Sequence, residues 1–183
     1  MTRKILLYGF AFGSLMFLTT YIYFENKLYT ELTQDFLIGK IVPIIIQMIG
    51  VGLVIASIKK SEGGYITMGR AGFTGLICSI VMGIVSSFFY YIYVNQKPEM
   101  LESAKSSYQE RSKAFYEKNK EQITEEELEE KLTALDFYYT APQQTKLDLY
   151  RVLGVGLLAA GSFGLMLQKN PPENPVAPTS KDA

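Results

Sequence analysis

Residues 41–58 read IVPIIIQMIGVGLVIASI, an uncharged run that decides the fold. The hydrocarbon core of a bilayer is about 30 Å thick, and about 20 helical residues cross it because each advances the helix by about 1.5 Å. Three more windows are similarly apolar, at residues 5–24, 71–94 and 149–167, and Arg151 is their only charged residue. They do not alternate as the strands of a membrane barrel would. The pattern predicts an all-α fold, a four-helix transmembrane bundle.

Charge is segregated along the chain. Of the 18 basic and 18 acidic residues, all but Arg151 lie outside the four windows, whereas a soluble protein mixes charged and apolar residues at helical or strand period. This segregation predicts the lipid bilayer as the main partner. Because the net charge is zero, we expect no nucleic-acid partner.

The same pattern divides the chain into four parts. Residues 1–94 hold the first three helices with short connections, and residues 95–148 form a charged, extracytoplasmic helical insert between helices 3 and 4. Residues 149–168 form the fourth helix. Residues 169–183 contain four prolines and predict a disordered cytoplasmic tail. The run at 5–24 is longer than a signal-peptide core and lacks a convincing cleavage site, so we expect an uncleaved first span.

Basic residues in the connections predict the orientation, because the loops that stay in the cytoplasm carry the excess of lysine and arginine. One side holds seven of them: Arg3, Lys4, Lys59, Lys60, Arg70, Lys169 and Lys181. The short loop on the other side holds only Lys27 and Lys40. Both termini are therefore predicted to be cytoplasmic, with residues 25–40 and 95–148 periplasmic.

Aromatic residues gather at the predicted outer level, as expected of interfacial tyrosine. They are Tyr21, Tyr23, Phe24, Phe88, Phe89, Tyr90, Tyr91, Tyr93, Phe137, Tyr138, Tyr139 and Tyr150. This belt agrees with an up-and-down topology. It does not by itself identify the outer face.

The insert is predicted to form two helices. Pro98 suits a first helical turn, and Thr124 with Glu127 fits a capping box for the second helix. Each helix has a narrow apolar stripe: Leu101, Ala104, Tyr108 and Phe115 in the first, and Leu128, Leu132 and Leu135 in the second. Two interpretations stay open. Residues 98–139 contact a second copy, an envelope protein or the membrane surface, or they form a solvated helical pair without a partner.

Small residues recur at spacings that let helices approach closely. The sets are Gly9 with Gly13, Ser79 with Gly83, and Gly156 with Ala160 and Gly164. They could form a self-association face, but four spans must pack against one another, so we favour internal packing. Gly63 and Gly64 are predicted to allow the reversal between spans two and three.

Three polar side chains belong to the spans or their ends. Gln47 could line a substrate path, although a hydrogen bond to a neighbouring helix is the commoner reason for a membrane glutamine. Lys40 and Arg151 lie at span ends and are predicted to anchor the helices at the headgroups.

Catalytic chemistry has little support. The chain has no histidine, one cysteine, and no aspartate or glutamate within the four windows, so acid-base and metal chemistry at membrane depth lack their usual groups. We expect no enzyme activity, no cofactor and no metal. The acidic run at residues 125–130 fits a solvated helix start better than a cation site.

Residues 62–75 read EGGYITMGRAGFTG. This stretch, the glycine-containing third span and the charged insert before the last span resemble domain of unknown function 4199, a family of membrane proteins found mainly in Bacteroidetes. The chain departs from the family where an Arg-Asp pair often precedes the glycines and has Lys59-Lys60-Ser61-Glu62 instead. The resemblance implies a bacterial inner membrane and a periplasmic insert, and it brings no activity or site residues.

Two functions are therefore expected. The first is a structural or interaction subunit of the bacterial cell envelope that presents the periplasmic helices. The alternative is a small transporter or channel subunit, which Gln47, Pro43 and the glycine-interrupted spans motivate.

Overall fold

The computed structural model describes residues 1–30, 35–119 and 124–170. Its helices are α1 (Thr2–Glu25), α2 (Val42–Ser61), α3 (Met68–Gln96), α4 (Pro98–Lys118), α5 (Glu125–Tyr138) and α6 (Ala141–Leu167). A short 3-10 turn, Leu28–Thr30, and a π-helix, Asp35–Ile41, lie between α1 and α2. The all-α prediction is confirmed. The tail predicted to be disordered lies outside the described residues from position 171 onward.

Within the described ranges, four helices are long and apolar enough to cross a membrane: Thr2–Glu25, Leu37–Ser61, Met68–Gln96 and Ala141–Leu167. Large apolar side chains face outward, with Leu158 73% and Met166 76% exposed. Small and polar side chains such as Thr74 and Ser79 are fully buried. This distribution suits lipid, where close packing of small residues holds helices together. The chain has the architecture of a membrane protein.

The four long helices pack around a shared apolar core. Helix α3 packs most extensively against α6 and α1, and α2 contacts α1, α3 and α6. The fully buried residues Val51, Met82 and Val152 bring α2, α3 and α6 together in this core. The bundle has two ends, the glycine-turn end and the aromatic end. The aromatic end contains a buried cluster of Tyr23, Phe24, Tyr29, Tyr90 and Tyr93.

The glycine-turn end contains Met1, residues 59–70 and Lys169. Gly63 and Gly64 have φ angles of +72° and +89°, a region that residues with a Cβ rarely adopt. The backbone N–H of Gly64 donates to the Lys59 carbonyl at 2.9 Å and closes the turn. Thr67 then caps α3 by accepting a hydrogen bond from the Arg70 N–H at 3.4 Å.

The insert folds as the helices α4 and α5. Pro98 lies in the first turn of α4, and the Thr124–Glu127 capping box at the start of α5 has both of its hydrogen bonds. Lys105 links the two helices, because its ammonium forms ion pairs with Glu102 on α4 and Asp136 on α5. The first half of the α4 stripe, Leu101 and Ala104, is buried against the aromatic end of the bundle. The chain itself therefore covers this part of the stripe.

The last helix is longer than its apolar window. It begins at Ala141, with Pro142 in its first turn, whereas the sequence prediction placed its start at residue 149. Pro142 lacks an N–H donor, which costs little in the first turn, and α5 has already ended at Tyr138. Because of this extension, Asp148 lies within α6.

Candidate functional site

The predicted packing residues of α1 lie against α3. A Cβ added at Gly13 would lie 2.8 Å from the Met82 carbonyl oxygen, and one at Gly9 would lie 2.5 Å from Val81 Cγ1. Neither contact leaves room for a side chain. The close approach of α1 to α3 therefore requires glycine at both positions.

The predicted small residues of α3 and α6 lie between these two helices. A Cβ at Gly156 would lie 2.3 Å from Ser79 Cβ, and a Cβ at Gly75 would lie 2.9 Å from Ala160 Cβ. Two positions have more room. A Cβ at Gly83 would meet Leu149 Cδ1 at 3.1 Å, and one at Gly164 would meet Gly72 N at 3.5 Å.

Gln47 lies where α2, α3 and α6 meet. Its Nε2 donates to the Val152 carbonyl oxygen at 2.6 Å, and the residue is only 1% exposed. A Cβ at Gly156 would lie 3.0 Å from this Nε2, so the missing side chain of Gly156 leaves space for the amide. The polar membrane contact of Gln47 is thus a bond between two helices.

Lys40 and Arg151, the predicted interfacial anchors, share the wall of a cavity at the aromatic end. The cavity has a volume of about 450 Å³. Residues from the bundle, the π-helix and the insert line it: Thr20, Tyr23, Phe24, Asp35, Gly39, Lys40, Tyr90, Ala104, Tyr108, Leu135, Tyr139, Gln144, Leu147, Asp148 and Arg151. We treat this cavity as the candidate site, because a concave pocket with convergent polar groups is the usual form of a ligand site.

Asp35 provides the first polar cluster of the cavity wall. It is 2% exposed, and the Tyr23 hydroxyl donates to its Oδ1 at 2.6 Å. The Tyr108 hydroxyl, from the insert, donates to its Oδ2. Arg111 Nη1 lies 3.5 Å from the same oxygen, and the Arg111 guanidinium carbon lies 4.1 Å from the centre of the Tyr108 ring. The buried carboxylate is therefore compensated by groups from α1 and α4.

The phenols around Asp35 are held in their neutral form. Burial, followed by the hydrogen bond to Asp35, raises the pKa of Tyr108 above its ordinary value. Burial also raises the pKa of Tyr139, whose ring centre lies 5.4 Å from that of Tyr108. Both hydroxyls remain hydrogen-bond donors at neutral pH.

Asp148 provides the second polar cluster. Its Oδ2 accepts from the hydroxyls of Ser86 and Ser87, each at 3.4 Å, and its Oδ1 pairs with Arg151 one turn further along α6. Arg151 Nη1 also donates to the Gly39 carbonyl at 3.4 Å, which ties α6 to the π-helix. A π-helix is rare, and it often marks a functional position in a helix.

Sequence reasoning missed both carboxylates. Asp148 directly precedes the fourth window, and Asp35 lies six residues before the second. Each finds partners far along the chain: Asp35 bonds to Tyr108, and Asp148 to Ser86 and Ser87. A local signal existed only for Asp148, because Arg151 follows it at the spacing of a helical ion pair. For metal ions the structure offers little: residues 1–30, 35–119 and 124–170 contain no cluster of three or more potential ligands.

The model of the family described as "Protein of unknown function (DUF4199)" matches residues 7–169. The chain belongs to the DUF4199 family. The matched range includes both insert helices and the cavity residues. No curated protein and no solved structure matches it.

Proposed function

We propose that this DUF4199 protein is a structural or interaction subunit of the bacterial cell envelope, whose four spans hold the insert at the periplasmic face. The observation that carries the proposal is the buried link between Asp35 and Tyr108. It fixes α4 to the bundle through a compensated charge, and such a link orients an extramembrane element more firmly than a flexible tether would.

Two further contacts support a fixed insert. The Tyr29 hydroxyl donates to Ser103 Oγ at 2.8 Å, and Tyr29 itself is 1% exposed. At the start of α4, Lys97 pairs with Glu25, which also accepts from the Tyr93 hydroxyl at 3.1 Å. The insert is thus held by the short loop and by the ends of α1 and α3.

The outward side of the insert supports a role in contacts. Phe115 is 55% exposed and Phe137 is 61% exposed. Phe137 also lines an open groove with the exposed acids Glu126, Glu129 and Glu130. Exposed aromatic residues are enriched in protein interfaces, and a neighbouring row of carboxylates favours a basic partner surface.

The periplasmic assignment is supported by the charges at the two ends of the bundle. Lys4 Nζ donates to the Ser57 carbonyl at 3.0 Å, and Ile66 forms a backbone bridge with Lys169. Lys4, Lys59, Lys60, Arg70 and Lys169, which predict a cytoplasmic side, thus belong to the glycine-turn end. The insert is attached at the opposite, aromatic end.

The rival proposal, a small transporter or channel subunit, has weaker support. The cavity and its carboxylates favour it, but transport needs a polar path through the bundle. Val51, Val54 and Met82 are fully buried at mid-helix, and the Gln47 amide is bonded to α6. These contacts favour a closed interior.

Crosslinking tests the interaction role. The chain has one cysteine, Cys78, which is buried and can be replaced by alanine. In that background, Phe137→Cys should yield a crosslinked species in intact cells, of twice the chain mass for self-association or another mass for a partner. Adding Phe115→Ser should weaken the crosslink, whereas adding Glu110→Ser, an exposed change on the same helix, should leave it intact. Absence of any species from Phe137→Cys, or equal yields from both additions, would contradict the proposal.

A further inference from the structure

The cavity at the aromatic end has a chemistry that the interaction role does not use. Its two carboxylates are already paired: the buried Asp35 with two tyrosines and Arg111, and the half-buried Asp148 with two serines and Arg151. Lys40 lines the same cavity, and its ammonium has no carboxylate partner in the described part of the chain. Among the described residues, the charge in the wall that lacks a partner is therefore positive, and it favours an anionic group.

The guanidinium of Arg151 faces the same space from α6. It is 30% exposed despite its ion pair with Asp148. An ammonium and a guanidinium on one wall form a common arrangement for binding a phosphate oxygen, because each offers several N–H donors. The π-helix carries Lys40, and Arg151 donates to the carbonyl of the preceding residue, Gly39, so the two cationic residues come from segments in direct contact.

Apart from Thr20 and Gln144, the rest of the wall is apolar or aromatic. Leu135 and Leu147 line the cavity beside the tyrosines. Leu147 is 43% exposed, and Lys40 is exposed as well. Of the two exposed residues that line the cavity, Lys40 is thus charged and Leu147 is apolar. The cavity lies at the aromatic end, where tyrosine marks the level of the lipid headgroups.

We propose that this cavity binds a phospholipid, with its phosphate at Lys40 and Arg151 and the start of an acyl chain along Leu147. A volume of about 450 Å³ accommodates a headgroup and the first part of a chain. The same cavity joins the bundle to the insert, so a bound phospholipid would contact both.

Tryptophan fluorescence tests this proposal sharply, because the chain contains no tryptophan. Leu147→Trp places a single reporter at the cavity. In mild detergent, titration with a phosphatidylglycerol brominated on its acyl chains should quench the reporter saturably. Adding Lys40→Glu should weaken the apparent affinity at least tenfold, whereas Lys60→Glu, an exposed lysine at the glycine-turn end, should not change it. Met166→Trp, at the other end of α6, reports unspecific quenching in the micelle.

Several results would overturn the proposal. They are equal quenching of Leu147→Trp and Met166→Trp, equal affinities of the Lys40→Glu and Lys60→Glu variants, and equal quenching by a brominated diacylglycerol without phosphate. Displacement of the lipid by inorganic phosphate at comparable concentration would assign the cavity to a soluble anion instead.

Native mass spectrometry of the chain without a reporter gives a second readout. Phosphatidylglycerol should remain bound to the wild type and to Lys60→Glu but not to Lys40→Glu, and equal retention by all three would contradict phospholipid binding.

Discussion

At the scale of single residues, Asp35 determines how the insert meets the bundle. Its carboxylate lies before the second span, buried between a tyrosine of α1 and a tyrosine of α4. Charge in a buried position is tolerated only when it is paired and hydrogen-bonded. Asp35 therefore stabilises the structure only as long as the insert is in place.

Asp35→Asn should destabilise the protein. The change leaves Arg111 without its negative partner, and removal of one member of a buried pair costs about 3 kcal/mol. The thermal midpoint of unfolding in detergent should fall. Asp136→Asn is the matched control, since Asp136 is 62% exposed and surface ion pairs contribute less than about 1 kcal/mol. Equal midpoints for the two variants would contradict the role of Asp35.

The Tyr108 phenol gives a prediction about pH. Burial and the bond to Asp35 raise its pKa in the folded state above the ordinary tyrosine value of about 10. Its contribution to stability is therefore complete below pH 10 and is lost as the pH rises through the folded-state pKa. The absorbance difference at the tyrosinate band between the wild type and Tyr108→Phe should develop only above pH 10. Ionisation at or below pH 10 would contradict the buried contact.

At the scale of helices, small residues decide which helices touch. Gly156 serves two contacts, because α3 approaches at Ser79 and the Gln47 amide passes over it to Val152. Gly161, five residues further along the same helix, has no atom within 4 Å of an added Cβ. Only one of the two glycines is needed for packing.

Gly156→Ala should lower the thermal midpoint, because overpacking a tight contact costs about 1–3 kcal/mol. Gly161→Ala should leave it unchanged or raise it, since alanine favours a helix over glycine by about 0.5–1 kcal/mol. Thermal unfolding of both variants in one detergent gives the comparison. A lower midpoint for Gly161→Ala than for Gly156→Ala would refute the assignment of the helix contact.

Local signals in the sequence were sufficient to predict most of the helices. The uncharged windows, the Thr124–Glu127 capping box and the first-turn Pro98 each act within a few residues, so they could be predicted without knowledge of the fold. The cavity could not be predicted from such local signals. Asp35 and Tyr108 are 73 residues apart, and their pairing depends on the tertiary fold that brings α4 onto the short loop. The π-helix that carries Lys40 left no periodic pattern either.

At the scale of the whole molecule, the two ends of the bundle differ in chemistry. The glycine-turn end gathers basic residues of the short connections, and the aromatic end holds the cavity and the insert. The proposed orientation follows from this asymmetry, since loops rich in lysine and arginine stay in the cytoplasm.

Cysteine labelling in intact cells tests the orientation. In a Cys78→Ala background, Glu110→Cys on the insert should react with a maleimide that does not cross the inner membrane. Lys60→Cys, at the opposite end, should react only after the cells are lysed. Both positions are exposed, so accessibility in the fold is matched. The reverse pattern would place the insert in the cytoplasm.

The central claim is that the outward faces of the four apolar helices contact lipid, with residues such as Leu158 and Met166 in the acyl chains. Alkaline carbonate extraction of membranes from cells that express the chain tests it most directly, because carbonate strips off peripheral proteins and leaves integral ones. The account predicts that the full chain stays in the membrane pellet and is released only by detergent. Release of a monodisperse chain into the carbonate supernatant would contradict it.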